Sequence, residues 1–349
     1  MAHYVFDCER MKYPNTGLHT YCLELGKAML RQLQPTEELT FFANFKNKPD
    51  FGPGAKFLEQ KSLHKFFMPY RQRYDVWHSA YQTSQFKPGN QKTNRVLTIH
   101  DLNFLYEEKT AAKRKKLLKR VQQTVDSSRY IIAISDFVKQ DVEKHIDLGN
   151  KPLKVIYNGI NVAEFPGYDT PGYRPEKPFI FSIGTVLPKK NFHVLPCLLQ
   201  HNDYDLVIAG TIRESYLEKI MEEAARFGVT HRVKVIGPVK DEDKYWYLKN
   251  CAAFAFPSLA EGFGIPPVEA MHFGKPVFLS DKTSLPEIGG TAAYYFRSFE
   301  PEAMQKVFAE GMQHYQSAQP QDSIIAHANS FCWKNAAAQY LEVYRTFGQ

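Results

Sequence analysis

The stretch Glu261-Gly-Phe-Gly-Ile-Pro-Pro-Val-Glu269-Ala-Met-His-Phe-Gly274-Lys-Pro276 constrains this chain more than any other. Gly262 and Gly264 let the backbone approach a ligand closely, and Pro266 and Pro267 suit the first turn of a helix, where a missing N–H costs little. A helix is therefore predicted from about Pro266, with its positive end beside the glycines, a favourable place for an anion. Glu261 precedes that helix and Glu269 lies about one turn inside it. Upstream, Ala252-Ala-Phe-Ala-Phe-Pro-Ser258 reads as a buried strand, and downstream Lys275-Pro-Val-Phe-Leu-Ser280 reads as the next. Strand, loop, helix, strand is a parallel-sheet unit, and ligands of such sheets bind at the carboxyl ends of strands. The competing reading is a glycine-rich connection whose glutamates are merely solvated.

The same pattern recurs along the chain. Tyr4-Val-Phe-Asp7 reads as a first strand, followed by a flexible Asn15-Thr-Gly17 loop and an amphipathic run from Tyr21 to Leu30, the opening of a Rossmann-like half. Further strands are expected at Leu39–Ala43 and Tyr74–His78, and at Arg95–His100, which ends abruptly in His100-Asp101. A histidine there either donates to a ligand hydroxyl or stabilises developing charge, or satisfies backbone groups at the strand end. Tyr130–Ser135 reads as a strand leading into a helix capped by Ser135. Residues 165–178 carry four prolines and two glycines and read as an inter-domain linker. Phe179–Gly184 restarts the cycle, and Thr185-Val-Leu-Pro-Lys189-Lys190-Asn191 places two cations after a glycine; a solvated turn with mobile lysines is the alternative. Asp205–Gly210 and Arg232–Gly237 are two more strands, Tyr245–Asn250 is a short helix, and Phe331–Tyr344 has helical spacing. The fold class is α/β, with expected domains at 1–168 and 169–328 and a C-terminal segment at 329–349.

The run Pro257-Ser258-Leu-Ala-Glu261-Gly-Phe-Gly-Ile-Pro-Pro-Val-Glu269-Ala-Met-x-x-Gly274-x-Pro276-Val, followed by Thr283-Ser-Leu-Pro-Glu287, resembles the signature of retaining, GT-B-fold glycosyltransferases of the family 4 type. The resemblance covers nearly the whole chain and is strongest between about residues 180 and 290. It implies two Rossmann-like domains facing each other across a cleft, with the C-terminal helix crossing back to the first domain. It also implies a donor site built from Gly17, Gly184, Thr185, Lys190, Ser258, Glu261, Gly262, Phe263, Gly264, Ile265 and Glu269. By the resemblance Glu269 binds the ribose, Glu261 the transferred sugar and Lys190 the diphosphate, and His100-Asp101 matches the family's His-Asp element. Glu261, Lys190 and His100 are the expected catalytic residues. Thr185 stands where many members have arginine.

Composition limits the alternatives. A chain of 349 residues with 44% hydrophobic and 23% charged residues is an ordinary globular protein with room for two domains. It has no run of eighteen apolar residues and no signal peptide, so the expectation is a cytoplasmic protein. The five cysteines, Cys8, Cys22, Cys197, Cys251 and Cys332, lack paired spacing and are expected as free thiols. No Asp-x-Asp motif stands at a strand end, so the expected chemistry requires no metal and no cofactor. Residues 1–170 hold 26 Lys and Arg against 18 Asp and Glu, whereas 171–349 hold 18 against 19. The positive excess therefore lies in the first half, densest at Lys113-Arg-Lys-Lys-Leu-Leu-Lys-Arg120. That cluster is either a solvated helix face or the seat of an anionic partner, and no nucleic-acid module accompanies it.

The expected activity is transfer of a hexose from a nucleotide sugar to a sugar or lipid-linked acceptor, in cell-surface glycan synthesis. The expected place of work is the cytoplasm, peripherally on the anionic face of the membrane. Another GT-B enzyme, such as a nucleotide-sugar epimerase or a glucan synthase, is the nearest alternative. A non-catalytic sugar-nucleotide-binding protein is the alternative from a different class.

Overall fold

A computed structural model describes residues 1–13, 16–44 and 51–347. The chain forms two compact units, one of residues 1–159 with 331–349 and the other of residues 160–330.

In the first unit, seven parallel strands are ordered β3-β2-β1-β4-β5-β6-β7: β1 (Ala2–Asp7), β2 (Glu37–Ala43), β3 (Lys56–Glu59), β4 (Val76–Ser79), β5 (Asn94–Ile99), β6 (Tyr130–Ala133) and β7 (Leu153–Val155). β4 and β5 are buried throughout, as befits parallel strands covered on both faces. The helices are α1 (Gly17–Leu30), α2 (Ala111–Asp126), α3 (Asp136–His145) and, from the end of the chain, α10 (Trp333–Arg345). Helix α1 begins at Gly17, four residues before the predicted start, because Thr16 caps it by accepting from His19 N at 3.3 Å. Gly17 is thus the first helical residue rather than part of a loop; Asn15 lies outside the described residues. Ser135 caps α3 as predicted, accepting from Val138 N at 3.1 Å.

One face of this sheet packs Tyr4 and Phe6 against Tyr21, Cys22, Leu25 and Met29 of α1 and Trp333, Tyr340, Leu341 and Tyr344 of α10. The other packs Val5, Phe42, Tyr74, Trp77 and Phe86 together. Helix α10 is tied down by polar groups as well. The Tyr21 hydroxyl lies 2.9 Å from that of Tyr340 and 3.1 Å from Thr98 Oγ1, and His78 bridges Thr98 Oγ1 at 2.8 Å and the Tyr344 hydroxyl at 2.6 Å. Arg345 forks onto Glu37 through Nε at 2.7 Å and a terminal nitrogen at 2.9 Å.

The second unit has six parallel strands in the order β10-β9-β8-β11-β12-β13: β8 (Phe179–Ile183), β9 (Asp205–Ala209), β10 (Val233–Gly237), β11 (Ala253–Phe256), β12 (Val277–Ser280) and β13 (Tyr294–Phe296). Its helices are α4 (Glu214–Arg226), α5 (Asp241–Asn250), α6 (Ile265–His272), α7 (Leu285–Gly289), α8 (Pro301–Ala318) and α9 (Gln321–Asn329). The unit boundary at Gly159/Ile160 corrects the expected one at 168/169, and the later break falls at Ser330/Phe331 rather than 328/329. The proline- and glycine-rich run is no free linker, because it is bound to α5. Asp169 accepts from Trp246 Nε1 at 2.9 Å, Tyr173 N donates to the Tyr247 hydroxyl at 3.2 Å, and Phe165 stacks on Tyr245. The five cysteines are free, four of them buried and Cys332 half-buried.

Candidate active site

In the second unit the strand order runs outward from β8 through β9 to β10 on one side and from β11 through β12 to β13 on the other. The direction of winding therefore reverses between β8 and β11, and a crevice opens beyond their carboxyl ends. The two loops that leave those strands carry Lys190 and Glu261.

After β8, Gly184 adopts φ +154°, and a Cβ there would come within 3.2 Å of the Lys190 stem, so the glycine makes room for the lysine. Thr185 follows, exposed. The turn Pro188–Lys190 then brings Lys190 Nζ 2.5 Å from Glu261 Oε1 and 4.6 Å from the centre of the Phe256 ring. This ion pair is only 13–14% exposed. Ser258 Oγ lies 2.5 Å from the same Oε1 and 3.2 Å from the Lys189 carbonyl, so its single proton serves one of the two.

The backbone of Glu261 is held just as closely. Its N–H donates to Thr283 Oγ1 at 2.9 Å, and Ser284 Oγ lies 3.0 Å from the carbonyls of both Glu261 and Phe263. Thr283 does this from φ +53°, a strained conformation for a β-branched residue, of order 1–3 kcal/mol and typical of functional sites. Gly262, Phe263 and Gly264 are buried. Gly264 is the N-cap of α6 at φ +110°, where a Cβ would lie 2.9 Å from Leu285 Cδ2. Helix α6 starts at Ile265, one residue ahead of expectation. Pro266 and Pro267 remove two of its first-turn donors, which leaves the N–H groups of Gly264 and Ile265 at the positive end.

Glu269, buried on α6, has Lys244 Nζ at 2.9 Å on Oε1; the Tyr245 hydroxyl lies 3.3 Å from the same oxygen and 2.9 Å from the Asn161 carbonyl, so its single proton serves one of the two. Burial works against charge on Lys244, but the Glu269 carboxylate and the Tyr245 ring outweigh it and raise its pKa. Each glutamate thus has a lysine and a hydroxyl beside one oxygen, and the two sets share no residue. Solvated glutamates are excluded. Lys244, Tyr245, Thr283 and Ser284 were assigned no role from the sequence.

Gly17 and His100 belong to the first unit, which has the same reversal, between β1 and β4. His100 Nε2 is 2.9 Å from the Ala80 carbonyl, so that nitrogen must carry the proton, and burial lowers the ring pKa to about 4. His100 thus satisfies a backbone carbonyl beside the strand end, the alternative the sequence offered; the ring is held neutral by burial and Nδ1 is left as an acceptor. Nearby on the same sheet, Asp7 accepts from Ser84 Oγ at 2.8 Å and from Glu9 N at 3.0 Å. Burial, then the neighbouring Glu9, pushes its pKa up to about 7. Arg95, which the sequence shows only as a strand residue, is fully buried, donating to Ser79 Oγ, Ser127 Oγ and the Phe86 carbonyl. Among the described residues no group of three or more His, Cys, Asp and Glu gathers as a metal site.

Two family models match the chain in succession: Glycosyltransferase Family 4 over residues 19–164, and Glycosyl transferases group 1 over residues 170–319. The O-antigen chain mannosyltransferase B of Escherichia coli is 28% identical over an alignment of 389 residues, spanning 98% of this chain and 99% of that protein. Among solved structures, sucrose-phosphate synthase from Thermosynechococcus elongatus superposes with a TM-score of 0.73 at 15% identity, covering 99% of each chain. HepE from Anabaena, in complex with UDP and glucose, superposes at 0.69 and 17% identity over 99% of this chain and 100% of that one. At these identities the likeness to the solved structures bears on the fold, which is GT-B.

Proposed function

We propose that this chain, which belongs to the family 4 type of GT-B glycosyltransferases, transfers a hexose from a nucleotide-diphosphate sugar to an acceptor hydroxyl with retention at the anomeric carbon. The observation that carries this reading is the pair of largely buried carboxylates, each gripped by the protein on Oε1 alone. A carboxylate held on one oxygen can accept hydroxyl protons on the other, so Glu261 suits the hydroxyls of the sugar and Glu269 those of the ribose. Lys190 and the positive end of α6 then flank the diphosphate. As the bond from the anomeric carbon to the phosphate oxygen breaks, negative charge grows on that oxygen, where Lys190 stabilises it. The acceptor oxygen bonds to the anomeric carbon from the same face, and its proton passes to the departing phosphate.

The mannosyltransferase name of the E. coli relative supports a cell-surface glycan as product, with a sugar or lipid-linked acceptor. Among the described residues no helix is long and apolar enough to cross a membrane. The basic first half supports peripheral work on an anionic membrane face.

The test is incubation of the enzyme with a panel of nucleotide sugars and membrane-extracted acceptor, reading nucleoside diphosphate release and the anomeric configuration of the product by NMR. An inverted product would remove the retaining step. Binding of nucleoside diphosphates, seen as a raised melting temperature, with no release from any donor would favour the non-catalytic sensor. Activity should persist in excess chelator; complete, metal-reversible loss would overturn the metal-free route.

A further inference from the structure

On the first unit, the single turn Ser62–Lys65 and the residues after it expose three large apolar side chains together: Leu63 at 66%, Phe66 at 90% and Phe67 at 52%. They are not frayed. The N–H groups of Phe66 and Phe67 both donate to the Leu63 carbonyl, at 2.9 and 3.0 Å. Beneath them the buried His64 ring stacks on Phe42 and meets Tyr70 edge-on, while the Tyr70 hydroxyl donates to the Glu59 carbonyl at 3.0 Å. The turn is bolted to the core by one set of rings while it presents another.

Its surroundings are cationic. From Gln60 to Tyr74 the chain has no acid but carries Lys61, Lys65, Arg71 and Arg73. Beside Phe66 opens a cavity of about 700 Å³ whose lining includes Lys65, Lys87 and Arg120 against one acid, Asp126. Among the described residues none of these three cations has a carboxylate partner. Arg120 belongs to α2, and the spacing of Lys113, Lys116, Arg120, Gln123 and Ser127 lays them on one helix face, so a basic stripe ends at the cavity.

We propose that Leu63, Phe66 and Phe67 form a wedge that seats this unit on an anionic lipid surface, with headgroup phosphates entering the adjoining cavity. The proposal rests on the peripheral membrane reading above and names the place where contact is made. Lys61 pairs with Glu59 at 2.9 Å, so the free positive charge beside the three apolar side chains is that of the cavity; a face of this size is too small for a stable protein partner, yet it matches the apolar–basic pattern that inserts at a headgroup boundary. Basic residues near such a surface attract it in a salt-sensitive way, and the inserted rings add attraction that salt does not screen.

The experiment is co-sedimentation with phosphatidylcholine vesicles and with phosphatidylcholine–phosphatidylglycerol vesicles, at low and at moderate salt. It compares wild type with the Phe66→Ser, Phe67→Ser double variant, after the two are shown to share one melting temperature. Wild type should bind the anionic vesicles at both salt levels. The double variant should lose about tenfold or more at moderate salt while keeping a salt-sensitive remainder at low salt. Equal partitioning of the two proteins at both salt levels overturns the wedge and leaves the charge-driven reading standing. Failure of wild type to bind either vesicle overturns both. Concentration-dependent self-association that the substitutions abolish, without vesicle binding, overturns the wedge in favour of a second copy of this chain.

Discussion

The two sheets are wound alike, each reversing direction beside its first strand, yet their crevices are furnished in opposite ways. Beyond β8 and β11 the second unit keeps a lysine and a glutamate charged and paired with each other, with a helix terminus beside them. In the first unit the polar groups have been drawn inward. Asp7 is pushed up to about 7, His100 is lowered to about 4, and even the buried Arg95 is lowered to about 10, mainly by desolvation. Topology supplies a crevice in both cases, but burial decides its chemistry. One crevice can meet a charged diphosphate; in the other His100 is neutral and Asp7 is half protonated near pH 7, groups suited to uncharged hydroxyls, while Arg95 keeps its charge among buried hydrogen-bond acceptors.

That contrast can be broken most forcefully at Lys190. Lys190→Ala leaves Glu261 with the Ser258 hydroxyl and removes the cation from the leaving group, so turnover should fall about 10²–10³-fold, more than the Michaelis constant rises. A change confined to the Michaelis constant would show that the lysine only binds the ground state. Glu269→Ala comes next: donor affinity measured by calorimetry should weaken by about 1.5–3 kcal/mol, and unchanged affinity would remove its ribose role. On the other sheet, His100→Ala should lower turnover by roughly tenfold or less, the scale of one neutral hydrogen bond, and leave donor affinity untouched. A larger loss would mean that the first crevice handles charge after all.

Asp7→Asn should give the smallest effect, and its sign is specific. The folded carboxyl releases its proton near 7 and the unfolded one near 3.8, so the wild-type native state holds the extra proton between those values. The stability that Asp7 contributes to the wild type therefore declines as pH rises from about 4 to about 7 and levels off above. The melting temperature of Asp7→Asn relative to wild type should climb across that window. A constant difference would place Asp7 in a more hydrated setting.

Much of the second unit's site was legible because its parts lie close in the chain. Glycines, prolines and glutamates between Glu261 and Pro276 predicted the loop, the helix and the following strand to within a residue or two. The partners were not legible, because Lys244 reaches Glu269 across 25 residues and Thr283 reaches Glu261 across 22, and no spacing rule connects such pairs. Helix α5 was predicted four residues short, although Asp241, Glu242 and Asp243 in its first turn are the usual acidic signal of a helix start. The linker was misjudged for a related reason. Proline and glycine report that a segment is irregular, and say nothing about whether aromatic neighbours elsewhere will bind it. Edge strand β3 is short, half exposed and without an apolar run, so periodicity could not reveal it.

The hydroxyl and imidazole cluster that fastens α10 to α1, β4 and β5 has a consequence for biosynthesis. The first unit is assembled from two segments far apart in the chain, so a ribosome releases residues 1–159 well before Trp333, Tyr340 and Tyr344 exist to pack against them. At typical elongation rates the intervening residues 160–330 take roughly 10–30 s to make. Throughout that interval Tyr21, Thr98 and His78 lack their C-terminal partners, and the part of the first unit's apolar core that α10 covers stays exposed beside α1. The second unit, contiguous in the chain, can complete its fold in the meantime. A message truncated before codon 333 should therefore yield a protein whose second half is folded and whose first half is held in solution only by chaperones.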